Sequence, residues 1–199
     1  MTITARFPAV LRFPVEVTLT EAEWAIAHYL GRTRRRTNRG NSIVDRQIGV
    51  ADPLRVDILG AVAELAFSRV SGVAPDLDTA SRKGSVDAVL PSGRTVDVKA
   101  TEHRDREGRL DGRLIVPAYK VRLEDLPDVI VLARVDMSGE PSEVPRHTDH
   151  PPLVTLLGFA YASEIVCDRR LVNLRKPTYV LPNEDLHPKL GIIDDTDDD

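Results

Sequence analysis

"SVDAVLPSGRTVDVKA", residues 85–100, decides the fold. "SVDAVL" (85–90) and "RTVDVKA" (94–100) read as strands, and Pro91-Ser92-Gly93 between them has turn composition, so the stretch predicts a β-hairpin. With those three residues as the loop, Leu90 faces Arg94. Counting back sets Asp87 opposite Asp97, with β-carbons only about 5 Å apart. Side chains alternate along a strand, so Asp97 and Lys99 share a face. Two carboxylates this close repel each other, and a divalent cation taking oxygen ligands would relieve them. Lys99 beside them would orient or deprotonate an attacking water, or stabilise charge on a phosphate. On their own, the same residues read rather as a solvated hairpin face with a cross-strand salt bridge.

Upstream, "DPLRVDILGAVAELAFSRVSG" (52–72) predicts the strongest helix of the chain. Asp52 suits the N-cap, Pro53 the first helical position and Gly72 the stop. Its apolar stretch "LGAVAELAF" (59–67) contains one charge, Glu64. A carboxylate in dry surroundings is costly unless it is paired, protonated or bound to a metal. Asp57, Gly60, Ala61 and Ser68 share its helical face, and they are small or polar. Such a face would let the helix lie close to the sheet, with Glu64 reaching toward the two aspartates. The competing reading pairs Glu64 with an arginine such as Arg55 or Arg69.

Around this centre the elements alternate. "TEAEWAIAHYL" (20–30) predicts a helix, with capping-box spacing between Thr20 and Glu23. "GRTRRRTNRGNS" (31–42) follows as a basic, mobile loop or a frayed helix end. "GRLIVPAY" (112–119), "DVIVLARVD" (128–136), "LVTLLGFA" (153–160) and "TYVLP" (178–182) read as strands, and "SEIVCDRRL" (163–171) as a short helix. The order predicts an α/β or α+β chain with a central mixed sheet flanked by helices. Residues 1–50 read as a helix and basic loop appended to a core at 51–191, with an acidic, disordered tail at 192–199.

Bulk composition excludes little. The 199 residues are 42% hydrophobic and 29% charged, as in a globular chain. The net charge of −4 is concentrated in the closing "DDTDDD"; without its five aspartates, 27 basic residues stand against 26 acidic. One cysteine, Cys167, rules out an internal disulfide and a thiolate zinc site. There is no signal-peptide pattern and no long apolar span, which leads us to expect a soluble, cytoplasmic protein with no membrane partner.

Glu64 on a helix, then "VDAVL" with Asp87, then "VDVK" with Asp97 and Lys99, resembles the PD-(D/E)XK nuclease superfamily over roughly residues 52–172. No proline precedes Asp87, where the motif's name would put one. "LLGFAYASEIV" (156–166) resembles the segment that follows the core in phage-encoded members, which would make the host cytoplasm the site of action. The resemblance implies a restriction-endonuclease-like core and metal-dependent hydrolysis of phosphodiester bonds. It assigns Mg²⁺ or Mn²⁺ to Glu64, Asp87, Asp97 and the backbone carbonyl of Val98, and the catalytic base or water-orienting role to Lys99. DNA is the expected substrate over RNA, and the protein would act as a monomer or a homodimer. The alternative is a catalytically silent relative that uses the fold to bind nucleic acid or to assemble.

With a nuclease expected, Arg32, Arg34, Arg35, Arg36 and Arg39 become candidate phosphate contacts, as does Lys120. His103, His147 and His150 read as exposed loop residues without a third ligand of clear spacing. Trp24 and Tyr29 read as core, and Cys167 as a small buried helix residue.

Overall fold

The computed structural model describes residues 7–40, 52–79, 86–102, 112–118, 126–137, 143–174 and 176–193. Two short strands, β1 (Val10–Arg12) and β2 (Val15–Thr18), precede helix α1 (Glu21–Gly40) and helix α2 (Pro53–Ser71). The hairpin follows as β3 (Ala88–Val89) and β4 (Thr95–Thr101), then β5 (Arg113–Pro117), β6 (Val129–Asp136) and β7 (Leu153–Tyr161). A single helical turn, α3 (Ala162–Ile165), leads to β8 (Leu171–Asn173), β9 (Pro177–Pro182) and β10 (Lys189–Gly191). The protein is mixed α/β. Its main sheet has the order β2-β7-β6-β4-β3, with β4 and β6 parallel and the other neighbours antiparallel. A three-stranded sheet, β5-β9-β8, and the pair β1-β10 complete it.

Strand β6 is buried on both faces, which is why it reads as a nearly unbroken apolar run. Val129, Val131, Ala133 and Val135 join one hydrophobic cluster with α1 and α2. Ile130 and Leu132 join a second cluster with Leu114, Val116, Leu181 and Ile165. The sheet is thus sandwiched between the two long helices and the smaller sheet with α3. Helix α2 buries residues around most of its circumference, because α1 covers the side turned away from the sheet.

The expected caps are present. Asp52 accepts from the amides of Leu54 and Arg55, and Gly72 closes α2 in the left-handed conformation at φ 74°, donating its N–H to Ser68. Thr20 and Glu23 form the reciprocal capping box of α1.

Five expectations change. The arginine-rich segment does not leave the helix after Leu30; α1 continues to Gly40. The segment read as an appendage supplies an edge strand to the main sheet, and Trp24, Ala27 and Leu30 to its core. Tyr29 is 65% exposed rather than buried. Cys167 lies beyond α3 and is partly exposed, its thiol donating to the Glu164 carbonyl. Ile192, assigned to the tail, is fully buried and donates its N–H to the Ala9 carbonyl. No helix among the described residues is long and apolar enough to cross a membrane.

Candidate functional site

The hairpin has the register that its turn composition implies. Ala88 pairs with Val96 and Val89 with Thr95, and the Leu90 amide donates to the Arg94 carbonyl. Asp87 stands just before the first of these pairs. There the ladder becomes irregular: the Asp87 amide donates to Val96, and the next strand amide, that of Val98, is taken by Asp87's own Oδ2 at 2.8 Å. The carboxylate thus does the work of a strand carbonyl, which fixes it against the backbone of β4.

Parallel pairing sets Asp97 beside Ile130 and Lys99 beside Leu132. Both residues therefore project from the sheet face that carries the second cluster, opposite to the face covered by α2. Asp97 is 4% exposed, and its Oδ2 is in contact with the Lys99 ammonium.

Glu64 comes from α2, and its partner is neither Arg55 nor Arg69. Arg34 of α1 grips it with two parallel bonds, Nη1 to Oε1 and Nη2 to Oε2, each 2.8 Å. The same guanidinium donates to the carbonyls of Asp76 and Asp78, on the segment that leaves α2. Arg34 is held well in its charged form: burial opposes the charge, but the bonds and charge of Glu64, with Asp87 and Asp76, outweigh it. Gly60, on the face of Glu64, is not there for tight packing, since a β-carbon would meet nothing within 4 Å. The close approach of the two helices is one turn earlier on α1, where Gly31 lies against the backbone of Ile58.

Asp87 is where these groups converge electrically. Its pKa is pushed up to about 8, first by burial, then by the charges of Glu64 and Asp97; the Val98 amide and Lys99 pull it back only in part. Asp87 thus feels the negative charge of both Glu64 and Asp97. Among the described residues no three His, Cys, Asp or Glu side chains form a ready-made metal cage. The hydrogen bonding explains the spacing, because Arg34 spans both oxygens of Glu64, Val98 holds one of Asp87 and Lys99 sits on one of Asp97. Carboxylate oxygens are the donor type that a hard divalent cation takes.

Of the other basic candidates, Arg32, Arg36 and Arg39 are exposed at helical offsets of four and three, one solvent-facing stripe of α1. Arg35 is partly buried, and Arg34 is engaged as described. Lys120 and His103 lie outside the described residues. His147 and His150 are exposed, but the ring of His147 lies edge-on to that of His28, 6.4 Å between centroids. Sequence reasoning missed Arg34 as the partner of Glu64. Position 34 continues the spacing of the buried residues 24, 27 and 31 of α1, but that spacing does not name Glu64 as its partner.

No curated protein and no solved structure matches the chain. Residues 11–183, which hold the whole main sheet together with Glu64, Asp87, Asp97 and Lys99, match a family described as a family of unknown function (DUF5843), and the chain belongs to that family.

Proposed function

We propose that this protein is a metal-dependent nuclease with a restriction-endonuclease-like core, acting on DNA. One observation carries the reading: Asp87, half-buried, lies within electrostatic reach of both Glu64 and Asp97, with Lys99 beside Asp97. A cluster of like charges costs stability, and it is retained where a cation or a reaction uses it. The helix–hairpin–parallel-strand order around the cluster supports the core assignment.

In this reading Asp87, Asp97 and the Val98 carbonyl would hold Mg²⁺ or Mn²⁺, and Glu64 would complete the set. The ion, when bound, supplies polarisation of the phosphate and a lowered pKa for bound water. The protein's own groups do the rest. Lys99 is tied to Asp97, so its ammonium is positioned to orient a water or to stabilise charge that builds on the phosphate oxygens. The Val98 amide holds Asp87 by one oxygen, which fixes the direction of the other. Arg32, Arg36 and Arg39 would contact backbone phosphates and set the position of the duplex without reading its sequence.

A second reading, a silent nuclease-fold protein that binds nucleic acid, draws on the full engagement of Glu64 by Arg34. Incubation with supercoiled plasmid and linear single-stranded DNA, in Mg²⁺, Mn²⁺ or EDTA and beside a Lys99→Ala preparation, separates the two. Metal-dependent cleavage lost in the variant is the expected result. Binding to DNA without cleavage in either metal would favour the silent reading.

A further inference from the structure

We propose that the outer face of α1 is a platform for single-stranded DNA, so that the substrate is DNA carrying an unpaired stretch. The choice of DNA rests on the nuclease reading above, but the platform itself does not use the carboxylate cluster.

The basic half of this face holds charge that the fold does not neutralise. Arg32, Arg36 and Arg39 share the exposed side of α1, and none of the three has a carboxylate partner among the described residues. Elsewhere the arginines are paired: Arg34 with Glu64, Arg55 with Glu102, Arg69 with Glu23 and Arg170 with Asp185. Arg32 and Arg36 stand four residues apart, where like charges weaken a helix. The helix dipole favours a cation in the last turn, which accounts for Arg39 but not for Arg32, more than two turns from the end. Cations one turn apart, about 6 Å along the axis, suit a partner whose negative charges recur regularly. The phosphates of a nucleic-acid strand are such a partner.

The other half of the face is apolar. The same side of α1 runs back from Arg32 through Tyr29 and Ala25 to Ala22, with Ile26 at its margin. Tyr29 is 65% exposed and Ile26 40%. Tyr29 lies three residues before Arg32, so ring and guanidinium are neighbours on the helix surface. In a duplex the face of each base is covered by the next pair, whereas an unpaired base offers its face to an aromatic side chain. An exposed ring in line with phosphate-binding arginines therefore selects an unpaired strand, and a duplex is positioned here through its unpaired part. A protein partner would be held by several large anchors, and this face has one aromatic among alanines.

The test is fluorescence anisotropy on the full chain in EDTA, with a labelled oligothymidylate strand and a labelled blunt duplex as probes. Wild type is compared with Tyr29→Ala, Tyr29→Phe and a triple variant, Arg32→Gln with Arg36→Gln and Arg39→Gln. All four positions are exposed, and circular dichroism checks that each variant folds. Wild type is expected to bind the single strand more tightly than the blunt duplex. Tyr29→Ala should weaken single-strand binding by roughly 5- to 150-fold, the span of base–aromatic stacking, and Tyr29→Phe should restore it. The triple variant should flatten the plot of log affinity against log salt by about 2, roughly 0.7 for each of three phosphates. Single-strand binding that is absent, weaker than duplex binding or unchanged in Tyr29→Ala overturns the platform. Polyglutamate that displaces the labelled strand as well as unlabelled oligothymidylate does also overturns it, and assigns the face to an acidic protein. Single-strand binding through Tyr29 by a protein that cleaves nothing in Mg²⁺ or Mn²⁺ overturns the nuclease reading and leaves the platform standing.

Discussion

Arg55 and Glu102 tie the start of α2 to the end of β4. Arg55 is 1% exposed, and its Nε lies 2.9 Å from both carboxylate oxygens of Glu102. Its other nitrogens donate to the backbone carbonyls of Glu143 and Met137. One guanidinium therefore satisfies three separate segments near the end of the strand that carries Asp97 and Lys99. Removing one partner of such a buried pair leaves the other charge uncompensated, at a cost of about 3–5 kcal/mol. Arg55→Met is expected to lower the melting temperature by roughly 10 °C for a chain of this size. The double variant Arg55→Met with Glu102→Gln removes both charges and should be less damaged than Arg55→Met alone. A double variant that is worse by calorimetry would show that the backbone carbonyls, not Glu102, are what Arg55 serves.

Two helical glycines should respond to the same substitution in opposite directions. A β-carbon on Gly31 would stand 2.7–2.8 Å from Ile58, including its backbone nitrogen and α-carbon, which cannot swing aside. Gly31→Ala should destabilise by about 1–3 kcal/mol through overpacking, despite alanine's better helix propensity. Gly60 has open space where a β-carbon would go. Gly60→Ala should stabilise α2 by about 0.5–1 kcal/mol. Urea unfolding of the two variants checks the signs; a stabilised Gly31→Ala would mean that α1 and α2 are not held at this close distance.

That contact also shows where the sequence was readable and where it was not. The hairpin register was legible because a turn of defined composition fixes the pairing of alternating strands, and Leu90 meets Arg94 as counted. The caps of α2 were legible because Asp52, Pro53 and Gly72 act through local backbone chemistry. The second half of α1 was not. Arg32 to Gly40 has no apolar periodicity of its own, and the helix there is tied to the rest of the protein through Arg34–Glu64, one turn beyond the Gly31–Ile58 contact. Strand β2 was equally silent: its four residues gain their order from β7, far along the chain. Within the site, Glu64, Asp87, Asp97 and Lys99 could be brought together from the sequence alone. Whether Glu64 met a cation of the protein's own depended on packing between two helices, which spacing does not encode.

His28 makes stability depend on pH. The ring is 3% exposed, neither nitrogen has a hydrogen-bond partner among the described residues, and Trp24 packs edge-on against it at 4.2 Å. Burial, then the charges of Arg32 on its own helix and of His147 on the facing loop, lower its pKa from 6.5 to about 4, with Asp149 pulling weakly the other way. The unfolded chain therefore takes up a proton near pH 6.5 that the folded protein refuses until about pH 4. The stability contributed by the neutral ring is full above pH 6.5 and declines as pH falls toward 4, by a total of about 3 kcal/mol. Denaturation midpoints measured across this range in wild type and in His28→Phe should diverge from acid to neutral, with the variant flatter. Parallel curves would place the proton uptake on other groups.

Asp87 sets the terms of a trade between stability and function. In the metal-free protein its carboxylate is buried beside Glu64 and Asp97, while its Oδ2 serves the Val98 amide. Asp87→Asn removes the charge and keeps an oxygen for that hydrogen bond. The variant should therefore be more stable than wild type without metal, by about 1–2 kcal/mol, the usual return from relieving a functional site. With Mg²⁺ the order should reverse. Ligand bound only to the folded state adds about 2.7 kcal/mol at a hundredfold excess over its dissociation constant, and the variant forgoes most of this. Thermal unfolding at pH 8, with Mg²⁺ and with EDTA, reads both effects in one series. A variant less stable than wild type in EDTA would make Asp87 a structural cap of β4, whose charge the fold requires. Greater stability in EDTA with no response to Mg²⁺ would tie the crowding of these carboxylates to a cation.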